Sequence, residues 1–281
     1  MSEPRRPLVA GLIGWPVYQS KSPIIHGLWL KACGIDGIYA RFPVRPGEVA
    51  HALRAMDSLG ITGVQATMPH KRACFETVDS LTPAAKAIGA VNTVTVLADG
   101  KLQGHNTDLA GFLEPVADID ISGRTVTLLG AGGAAAAILV GLAGKGPAQI
   151  NIVNRSPAGI DRLLADVGGQ LGSVRIEPAG WDQLDQLISD STMLVNATAL
   201  GMTGHPPLSI DLDNLPDDAL VYDIITSPHE TDLLKAASRR GLATRDGLAM
   251  LIGQAREAFH LFYGQTAPAY CDDAIRQALI A

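Results

Sequence analysis

Short apolar runs recur along the first part of the chain, and amphipathic segments separate them. The run LVAGLIG, Leu8 to Gly14, has the length and continuous hydrophobicity of a buried parallel strand, and IYARFPV and ITGVQAT have a similar character. Between these runs, SPIIHGLWLKACG predicts a helix with Ser22 as its N-cap and Gly34 as its stop. PGEVAHALRAMDSLG predicts a second helix, closed by Gly60. The pattern therefore predicts a βαβαβ unit.

A hairpin and a second alternating series follow. AVNTVTVLADGKLQGHNTD predicts two strands joined at the turn dipeptide Asp99-Gly100, and a helix is predicted to begin at Asp108. From GRTVTLLGAGGAAAAILVGLAGKG onward, strand and helix patterns alternate again with a different glycine signature. The later strands are predicted over residues 149–154, 193–198 and 219–225, and the later helices over 134–142, 160–167, 230–240 and 247–264.

The change of pattern at residue 108 predicts an α/β fold of two domains, and 281 residues are enough for about two domains. The first is a substrate-binding domain with a mixed or parallel sheet, residues 1–107 together with 245–281. The second is a Rossmann-type dinucleotide-binding domain, residues 108–244. The long apolar helix pattern from Gly247 to Gly264 predicts that the C-terminal helices return to the first domain.

Composition and charge narrow the possible partners. A net charge of -6 argues against a nucleic-acid-binding protein, because phosphate backbones require clustered basic residues. Cys33, Cys74 and Cys271 are widely spaced and lack a CxxC pair, which argues against a disulfide framework or a metal site. The N-terminal apolar run is too short for a signal peptide, and the other runs are interrupted well short of a membrane span. We expect a cytoplasmic protein with a small-molecule substrate, as a monomer or homodimer.

A candidate cofactor site lies in TVTLLGAGGAAAA. Gly130, Gly132 and Ala135 form G-x-G-x-x-A between a predicted strand and a predicted helix. Such glycines permit a tight turn and the close approach of a pyrophosphate to the N-terminus of the helix. Glycine and alanine runs also arise from close helix packing, but the following strand at the expected distance favours a dinucleotide site.

The end of that following strand selects the nucleotide. An NAD site commonly has a carboxylate there for the ribose 2′-hydroxyl, whereas NIVNRS ends on Asn154, Arg155 and Ser156. A guanidinium pairs well with a phosphate, so Arg155 favours NADP, although an exposed arginine without this role is the alternative. The predicted cofactor-binding residues are Gly130, Ala131, Gly132, Gly133, Ala134, Asn154, Arg155, Ser156, Thr198, Ile224 and Gly247.

Oxidation of an alcohol by a nicotinamide cofactor requires a group that takes the hydroxyl proton. Lys71 follows Pro69 at the end of a predicted strand, where open α/β sheets bind ligands. Asp108 begins a helix at the domain boundary. Taken singly, Lys71 is compatible with a surface lysine and Asp108 with a helix cap, whereas together in one cleft they are able to pass a proton.

The motifs GWPVYQSKSPIIHG, ATMPHK, GAVNT, GHNTD, GAGGA, NRS, NATALGM and DGLAMLIGQA occur in this order from Gly14 to Gln254. The chain thereby resembles the shikimate dehydrogenase family over nearly its whole length. The most specific elements of the resemblance are S-K-S-P, the P-x-K that ends a strand, and N-T-D.

The resemblance implies an NADP-dependent oxidation of shikimate to 3-dehydroshikimate that runs mainly in the reducing direction in aromatic amino acid biosynthesis. It implies that Lys71 and Asp108 are the catalytic pair, that Ser20 and Ser22 bind the substrate carboxylate, and that the cofactor lies in a groove between the two domains. The expected substrate-binding residues are Ser20, Ser22, Gln65, Thr67, Asn92, Thr226 and Gln254.

Three positions depart from the family pattern. Gln65 stands where the family commonly has Asn, which displaces or removes one substrate contact, and Thr226 stands where it commonly has Tyr, which widens the pocket. Gly159 stands where a second basic residue often follows NRS, so NADP preference would rest on Arg155 and NAD becomes a weaker or alternative cofactor. The alternatives are a quinate-oxidising relative and a non-catalytic NADP-responsive binding protein, and the presence of both Lys71 and Asp108 argues against the latter.

Overall fold

A computed structural model describes residues 7–281 of the chain. The six residues before Pro7, which the first predicted domain includes, lie outside the described residues. Contacts divide the chain into a first unit, which comprises the described residues up to Thr107 together with Gln254–Ala281, and a second unit, Asp108–Gly253. The first boundary coincides with the expected one. The second boundary falls between residues 253 and 254, whereas the predicted boundary is between 244 and 245. It lies inside the continuous helix Gly247–Tyr263, so its first turns belong to the second unit and the rest to the first.

Twelve strands and eleven α-helices form the regular structure of residues 7–281. In chain order they are β1 (Leu8–Gly14), α1 (Ser22–Ala32), β2 (Gly37–Pro43), α2 (Val49–Arg54), β3 (Ile61–Ala66), α3 (Lys71–Thr77), β4 (Ser80–Leu81), α4 (Pro83–Ile88), β5 (Thr93–Val96), β6 (Leu102–His105), α5 (Asp108–Leu113), β7 (Thr125–Leu129), α6 (Ala135–Gly144), β8 (Gln149–Val153), α7 (Pro157–Val167), β9 (Arg175–Ala179), α8 (Leu184–Leu187), β10 (Ser191–Asn196), β11 (Leu220–Asp223), α9 (Asp232–Arg239), β12 (Ala243–Arg245), α10 (Gly247–Tyr263) and α11 (Asp272–Ile280). Within this part of the chain, each helix is too short or too polar to cross a bilayer.

The first unit contains a six-stranded mixed sheet in the order β2-β1-β3-β5-β6-β4. Strand β1 pairs in parallel with β2 and β3, as the βαβαβ pattern predicts. Strand β5 pairs antiparallel with β3 and β6. The predicted hairpin is therefore present, and Gly100 in its loop has φ of +79°, a conformation that favours glycine.

The two faces of β3 pack against different helices. Val64 and Ala66 belong to a buried cluster that also contains residues of α2, α3 and α4. Because side chains alternate along a strand, Gly63 and Gln65 point to the opposite face. There a Cβ at Gly63 would lie 2.5 Å from the ring of Phe262 in α10, so the glycine lets this helix approach the strand closely.

The second unit contains a six-stranded sheet in the order β12-β11-β10-β7-β8-β9, and all of its strand pairs are parallel. Counted from β7, the order is that of a Rossmann fold, with the direction of the series reversing between β7 and β10. The predicted fold class, two α/β domains of which one is of the Rossmann type, is confirmed.

Helices cover both faces of this second sheet, as alternate strand residues show. Val126 and Leu128 of β7 pack in a buried cluster with residues of α6 and α7. Leu129, at the end of the same strand, belongs to a cluster with residues of α8 and α9. Strands buried on both faces explain why the sequence shows near-continuous apolar runs here.

Two local predictions were wrong. Ser22 is the first residue of α1, and Lys21 occupies its N-cap position without a side-chain cap, whereas the Ser20 hydroxyl accepts the Ser22 N–H at 3.3 Å. Helix α2 ends at Arg54, because the chain then turns back and the Ile61 N–H donates to the Met56 carbonyl at 2.9 Å to enter β3. The short elements α3, β4, α4, β9, α8, β12 and α11 had no sequence prediction.

Candidate substrate and cofactor sites

Two loops of the first unit join at the carboxyl ends of β1 and β3. The Thr67 N–H donates to the Ile13 carbonyl at 3.0 Å, and the Trp15 N–H donates to the Met68 carbonyl at 3.3 Å. A Cβ at Gly14 would lie 2.6 Å from Thr67 Cγ2, so this glycine makes room for the threonine side chain. The structure therefore places the predicted residue Thr67 beside the end of the adjacent strand.

Ser20 and Ser22 lie together at the start of α1. The Ser20 hydroxyl lies 3.3 Å from that of Ser22 and also accepts the Ser22 N–H. The exposed Arg41 donates from Nε to the Ser20 carbonyl at 3.1 Å. Sequence analysis had not identified Arg41, whose charge favours an anion next to the two serines.

Lys71 is the first residue of α3, and His70 anchors the turn that precedes it. His70 is almost fully buried, and its Nε2 lies 2.8 Å from the Val44 carbonyl oxygen. Lys71 is half-buried, and its carbonyl accepts the Val91 N–H at 3.3 Å. Within the motif PHK, the histidine thus has a structural role that fixes the lysine at the strand end.

Asn92 connects the start of β5 to the residue before Asp108. Its Oδ1 accepts the Thr107 N–H at 2.8 Å, and its Nδ2 donates to the Thr107 hydroxyl at 3.1 Å. Both residues are buried. Asp108 follows directly as the first residue of α5 and of the second unit.

Gln65 is brought together with Gln254, although they are far apart in sequence. Gln65 is buried, its Oε1 accepts the Tyr39 hydroxyl at 2.6 Å, and its Nε2 donates to Gln254 Oε1. The ring of His26 stacks on that of Tyr39 at a centroid distance of 3.9 Å. Burial lowers the pKa of His26 to about 3, and Gln65 opposes this shift. Among residues 7–281, neither ring nitrogen has a partner of hydrogen-bond geometry. His26 is therefore a neutral part of the aromatic core.

In the second unit, the predicted glycine turn lies where the sheet order reverses. Gly130 has φ of +98°, and a Cβ there would lie 2.8 Å from Thr198 Cγ2, beyond the end of β10. Gly132 and Gly133 are exposed, and a Cβ at Gly132 would have Ala197 O at 3.9 Å as its nearest contact. The N-cap residue of α6 is Ala134, whose methyl side chain has no atom that could accept a helix N–H. An exposed glycine turn before an uncapped helix N-terminus suits a pyrophosphate.

The residues after β8 suit a 2′-phosphate better than a free ribose hydroxyl. Arg155 and Ser156 are exposed, and the segment carries no carboxylate. The Asn154 amide nitrogen donates to the Ser156 carbonyl at 2.9 Å. A Cβ at Gly159 would lie 2.6 Å from that nitrogen, which explains why a larger residue does not fit at position 159 while Asn154 holds this orientation.

A buried polar network orders the loops after β10 and β11. Asn196 Oδ1 accepts the Thr198 hydroxyl at 2.7 Å, and Asn196 Nδ2 donates to Asp223 at 3.0 Å. The Thr231 hydroxyl donates to the same carboxylate at 2.7 Å. Burial raises the pKa of Asp223, against the effect of these hydrogen bonds. Sequence analysis did not single out Asn196 or Asp223, although Asn196 begins the motif NATALGM, because the sequence does not show that the two strand ends are neighbours.

The remaining predicted residues of the second unit lie near the same strand ends. The Ile224 N–H donates to the Asn196 carbonyl at 3.1 Å. A Cβ at Gly247 would lie 2.3 Å from the Ile224 carbonyl oxygen, so α10 is able to begin there only with glycine. Asp246 caps this helix by accepting the Ala249 N–H at 2.9 Å. Thr226 is exposed beyond the end of β11.

A parallel sheet in Rossmann order with a glycine turn at its reversal defines a dinucleotide-binding α/β protein. Residues 12–94 match the shikimate dehydrogenase substrate binding domain, and residues 114–202 match the shikimate / quinate 5-dehydrogenase domain. A relative from Sphingopyxis alaskensis, named shikimate dehydrogenase (NADP(+)), is 46% identical over 100% of both chains. The chain belongs to the shikimate dehydrogenase family, and the resemblance inferred from its motifs is confirmed.

Solved structures agree with this assignment. Shikimate 5-dehydrogenase from Listeria monocytogenes, in complex with shikimate and NAD, is 31% identical with a TM-score of 0.88, and the match covers 97% of this chain and 96% of that one. Quinate dehydrogenase from Corynebacterium glutamicum, in complex with NAD, is 30% identical with a TM-score of 0.89 and coverage of 98% and 99%. Proteins named for two different acids thus share this fold.

Proposed function

We propose that this protein catalyses the reversible NADP-dependent reduction of 3-dehydroshikimate to shikimate in aromatic amino acid biosynthesis. The observation that carries the proposal is the joined carboxyl edge of β1 and β3, where Thr67 lies against Gly14 and Lys71 begins α3. The full-length relative named shikimate dehydrogenase (NADP(+)) supports it. Free thiols at Cys33, Cys74 and Cys271 support a reducing, cytoplasmic setting, in which the protein acts as a monomer or homodimer.

The first unit binds the acid in this proposal. Ser20 and Ser22 donate hydrogen bonds to the substrate carboxylate, and the adjacent Arg41 guanidinium adds a favourable charge. Thr67, Asn92 and Gln254 contact the ring hydroxyls. A carboxylate and several hydroxyls on one ring match a site made of hydroxyl, amide and cationic groups.

Lys71 and Asp108 transfer the proton. In the oxidising direction the pair accepts the hydroxyl proton as the carbon is oxidised, and in the reducing direction it returns the proton to the carbonyl oxygen. The bound dinucleotide supplies or accepts the hydride. A positive charge at Lys71 also stabilises the oxyanion that develops during either direction.

The second unit binds the dinucleotide. The Gly130–Gly133 turn and the N-terminus of α6 hold the pyrophosphate, and Arg155 pairs with the 2′-phosphate. Thr198, Ile224 and Gly247 border the same edge of the sheet. With Gly159 packed beneath Asn154, NADP preference depends on Arg155.

Replacing Arg155 with alanine is expected to raise KM for NADP about tenfold, since one charge-assisted hydrogen-bonding group is lost, and to leave KM for NAD nearly unchanged. Steady-state kinetics with both cofactors measure this difference. Arg124→Ala is the matched control, because Arg124 is an exposed arginine just before β7, at the opposite edge of the sheet. Equal losses with NADP and NAD would remove Arg155 from phosphate recognition.

The proposed function is tested by assaying shikimate and quinate, each with NADP and with NAD. We expect the highest kcat/KM for shikimate with NADP. Quinate is the second candidate substrate, since the quinate dehydrogenase structure matches 98% of this chain and the exposed Thr226 is a small residue. Turnover of neither acid, together with measurable NADP binding, would instead support a non-catalytic NADP-responsive protein.

A further inference from the structure

A buried hydrogen-bond network in the second unit joins the ends of β10 and β11. Asn196 ends β10, Asp223 ends β11, and both side chains are fully buried. Asn196 Nδ2 donates to Asp223 Oδ1 at 3.0 Å and to the Leu200 carbonyl at 3.3 Å. The Ile225 N–H donates to the same carboxylate oxygen at 3.1 Å. The network therefore holds the loops that follow the two strands.

Groups that only donate or only accept fix the direction of each bond in this network. The Thr198 N–H donates to Asn196 Oδ1 at 3.0 Å, so the amide nitrogen of Asn196 must face the Asp223 carboxylate. The Leu200 N–H donates to the Thr198 hydroxyl oxygen at 3.0 Å. Since Asn196 Oδ1 only accepts, the Thr198 hydroxyl directs its own proton to that oxygen, 2.7 Å away. Asp223 thus orients Asn196, and Asn196 orients Thr198.

The fixed hydroxyl determines where the methyl group of Thr198 lies. A Cβ at Gly130 would lie 2.8 Å from Thr198 Cγ2, so this methyl group lies directly beside the glycine. Gly130 is the first residue of the turn 130–133, and its φ is +98°. A pyrophosphate oxygen only accepts hydrogen bonds, whereas the proton of the Thr198 hydroxyl is used within the protein.

We propose that Asp223 and Asn196 are positioning residues for the dinucleotide, because they hold the Thr198 methyl group against Gly130 and so keep the turn in the conformation that binds the pyrophosphate. The inference rests on the proposed function, which takes the glycine turn as the pyrophosphate site. The role of Thr198 in cofactor binding is then packing and not a hydrogen bond. Affinity for NADP and for NAD depends on a buried carboxylate that neither cofactor touches.

Thr198→Ser separates the methyl group from the hydroxyl. Serine keeps a hydroxyl that donates to Asn196 and accepts from Leu200, but it lacks Cγ2. We expect Kd for NADP and Kd for NAD to rise by the same factor, about fourfold, because the turn loses the packing of one methyl group. Isothermal titration calorimetry of the full chain measures both constants. A hydrogen bond from the hydroxyl to the cofactor predicts an unchanged Kd instead, and that result overturns the proposal.

Asn196→Ala removes the centre of the network. We expect Kd for both cofactors to rise about tenfold, since Thr198 loses its fixed orientation. Asn151→Ala is the matched control, because Asn151 is a buried asparagine of the same sheet. Its Nδ2 donates to the Thr127 hydroxyl at 3.1 Å and to the Leu187 carbonyl at 3.3 Å. Both variants should lower Tm, but only Asn196→Ala should change Kd. An equal rise of Kd in Asn151→Ala overturns the proposal.

The double variant Asn196→Ala/Thr198→Ser tests whether the two residues act together. It should bind NADP no more weakly than Asn196→Ala, because both changes act through one methyl group. Losses of affinity that add would show that Asn196 and Thr198 act independently, and they contradict the proposal.

Asp223→Ala and Asp223→Asn test the carboxylate. An asparagine at position 223 is able to keep its carbonyl oxygen toward Asn196 Nδ2 and the Ile225 N–H. Its NH2 group then faces the Thr231 hydroxyl, whose oxygen is able to accept. Asp223→Asn should therefore recover most of the NADP affinity that Asp223→Ala loses. Equal losses in the two variants would exclude the proposed orienting role.

These titrations do not depend on turnover, so they separate the network from the proposed reaction. Wild-type protein that binds NADP but oxidises neither shikimate nor quinate overturns the proposed function, and the variants still test the positioning of the turn. Wild-type protein that binds neither NADP nor NAD overturns both.

Discussion

Replacing Lys71 with alanine is expected to lower kcat for shikimate oxidation by about two to four orders of magnitude, with little change in KM for shikimate. Lys71 begins α3 after the turn of residues 67–70 that follows β3, and its proposed role is to transfer the proton and stabilise developing charge. These contributions arise in the transition state, so their loss appears in kcat. Steady-state kinetics and a thermal melt of the same preparation distinguish a catalytic defect from unfolding.

Lys86→Ala is the control for this experiment, because Lys86 is an exposed lysine on α4 in the same unit. It should leave both constants unchanged. Asp108→Asn tests the second residue of the proposed pair. If Lys71 and Asp108 transfer one proton together, as proposed, the double variant Lys71→Ala/Asp108→Asn should be little slower than the slower single variant. A Lys71→Ala enzyme with wild-type kcat would exclude the lysine from proton transfer.

The sequence predicted the strand β3 that precedes Lys71, but it did not show which contacts hold the lysine in its position. Strand β3 and the proline after it are local features. The anchor is His70, whose Nε2 bonds the Val44 carbonyl 26 residues away. Periodicity describes which face of an element is apolar, and it carries no information on such distant partners.

The same limit explains the different result at Gln65. Its position at the end of a strand near other polar residues predicted a substrate contact, and it gave no sign of the hydrogen bonds that the structure shows to Tyr39 and Gln254, 26 and 189 residues away in sequence. Those bonds require β2, β3 and α10 to pack together first. Burial then makes the pairing necessary, since an unpaired buried amide would cost about 1–3 kcal/mol.

The second unit was more predictable because its signal is local. A strand, three closely spaced glycines and a helix lie within residues 125–144, and the structure shows each of them. What escaped prediction there was the Asn196–Asp223 pair, whose polar atoms connect two strand ends at 3.0 Å. The boundary between residues 253 and 254 has no sequence signal either, because α10 continues through residue 253 without a turn residue that would mark it.

Gly132→Ala should raise KM for both NADP and NAD about a hundredfold without lowering the stability of the protein. The new Cβ would have Ala197 O at 3.9 Å as its nearest contact, so the fold accommodates it. The methyl group would, however, occupy the exposed surface of the turn that the pyrophosphate approaches. Steady-state kinetics with NADP and with NAD measure KM, and thermal melts measure the stability separately.

Alanine variants of two other glycines serve as comparisons for Gly132→Ala. Gly130→Ala combines a left-handed φ of +98° with a contact of 2.8 Å to Thr198 Cγ2, so it should lower the free energy of unfolding by about 1–3 kcal/mol as well as weaken cofactor binding. At Gly144, the last residue of α6, a Cβ would have no neighbour within 4 Å among the described residues outside its own helix, so Gly144→Ala should weaken neither property. Unaltered affinity in Gly132→Ala would place the pyrophosphate elsewhere. Because this variant affects NADP and NAD alike, it separates the pyrophosphate contact from Arg155, which acts on the 2′-phosphate of NADP alone.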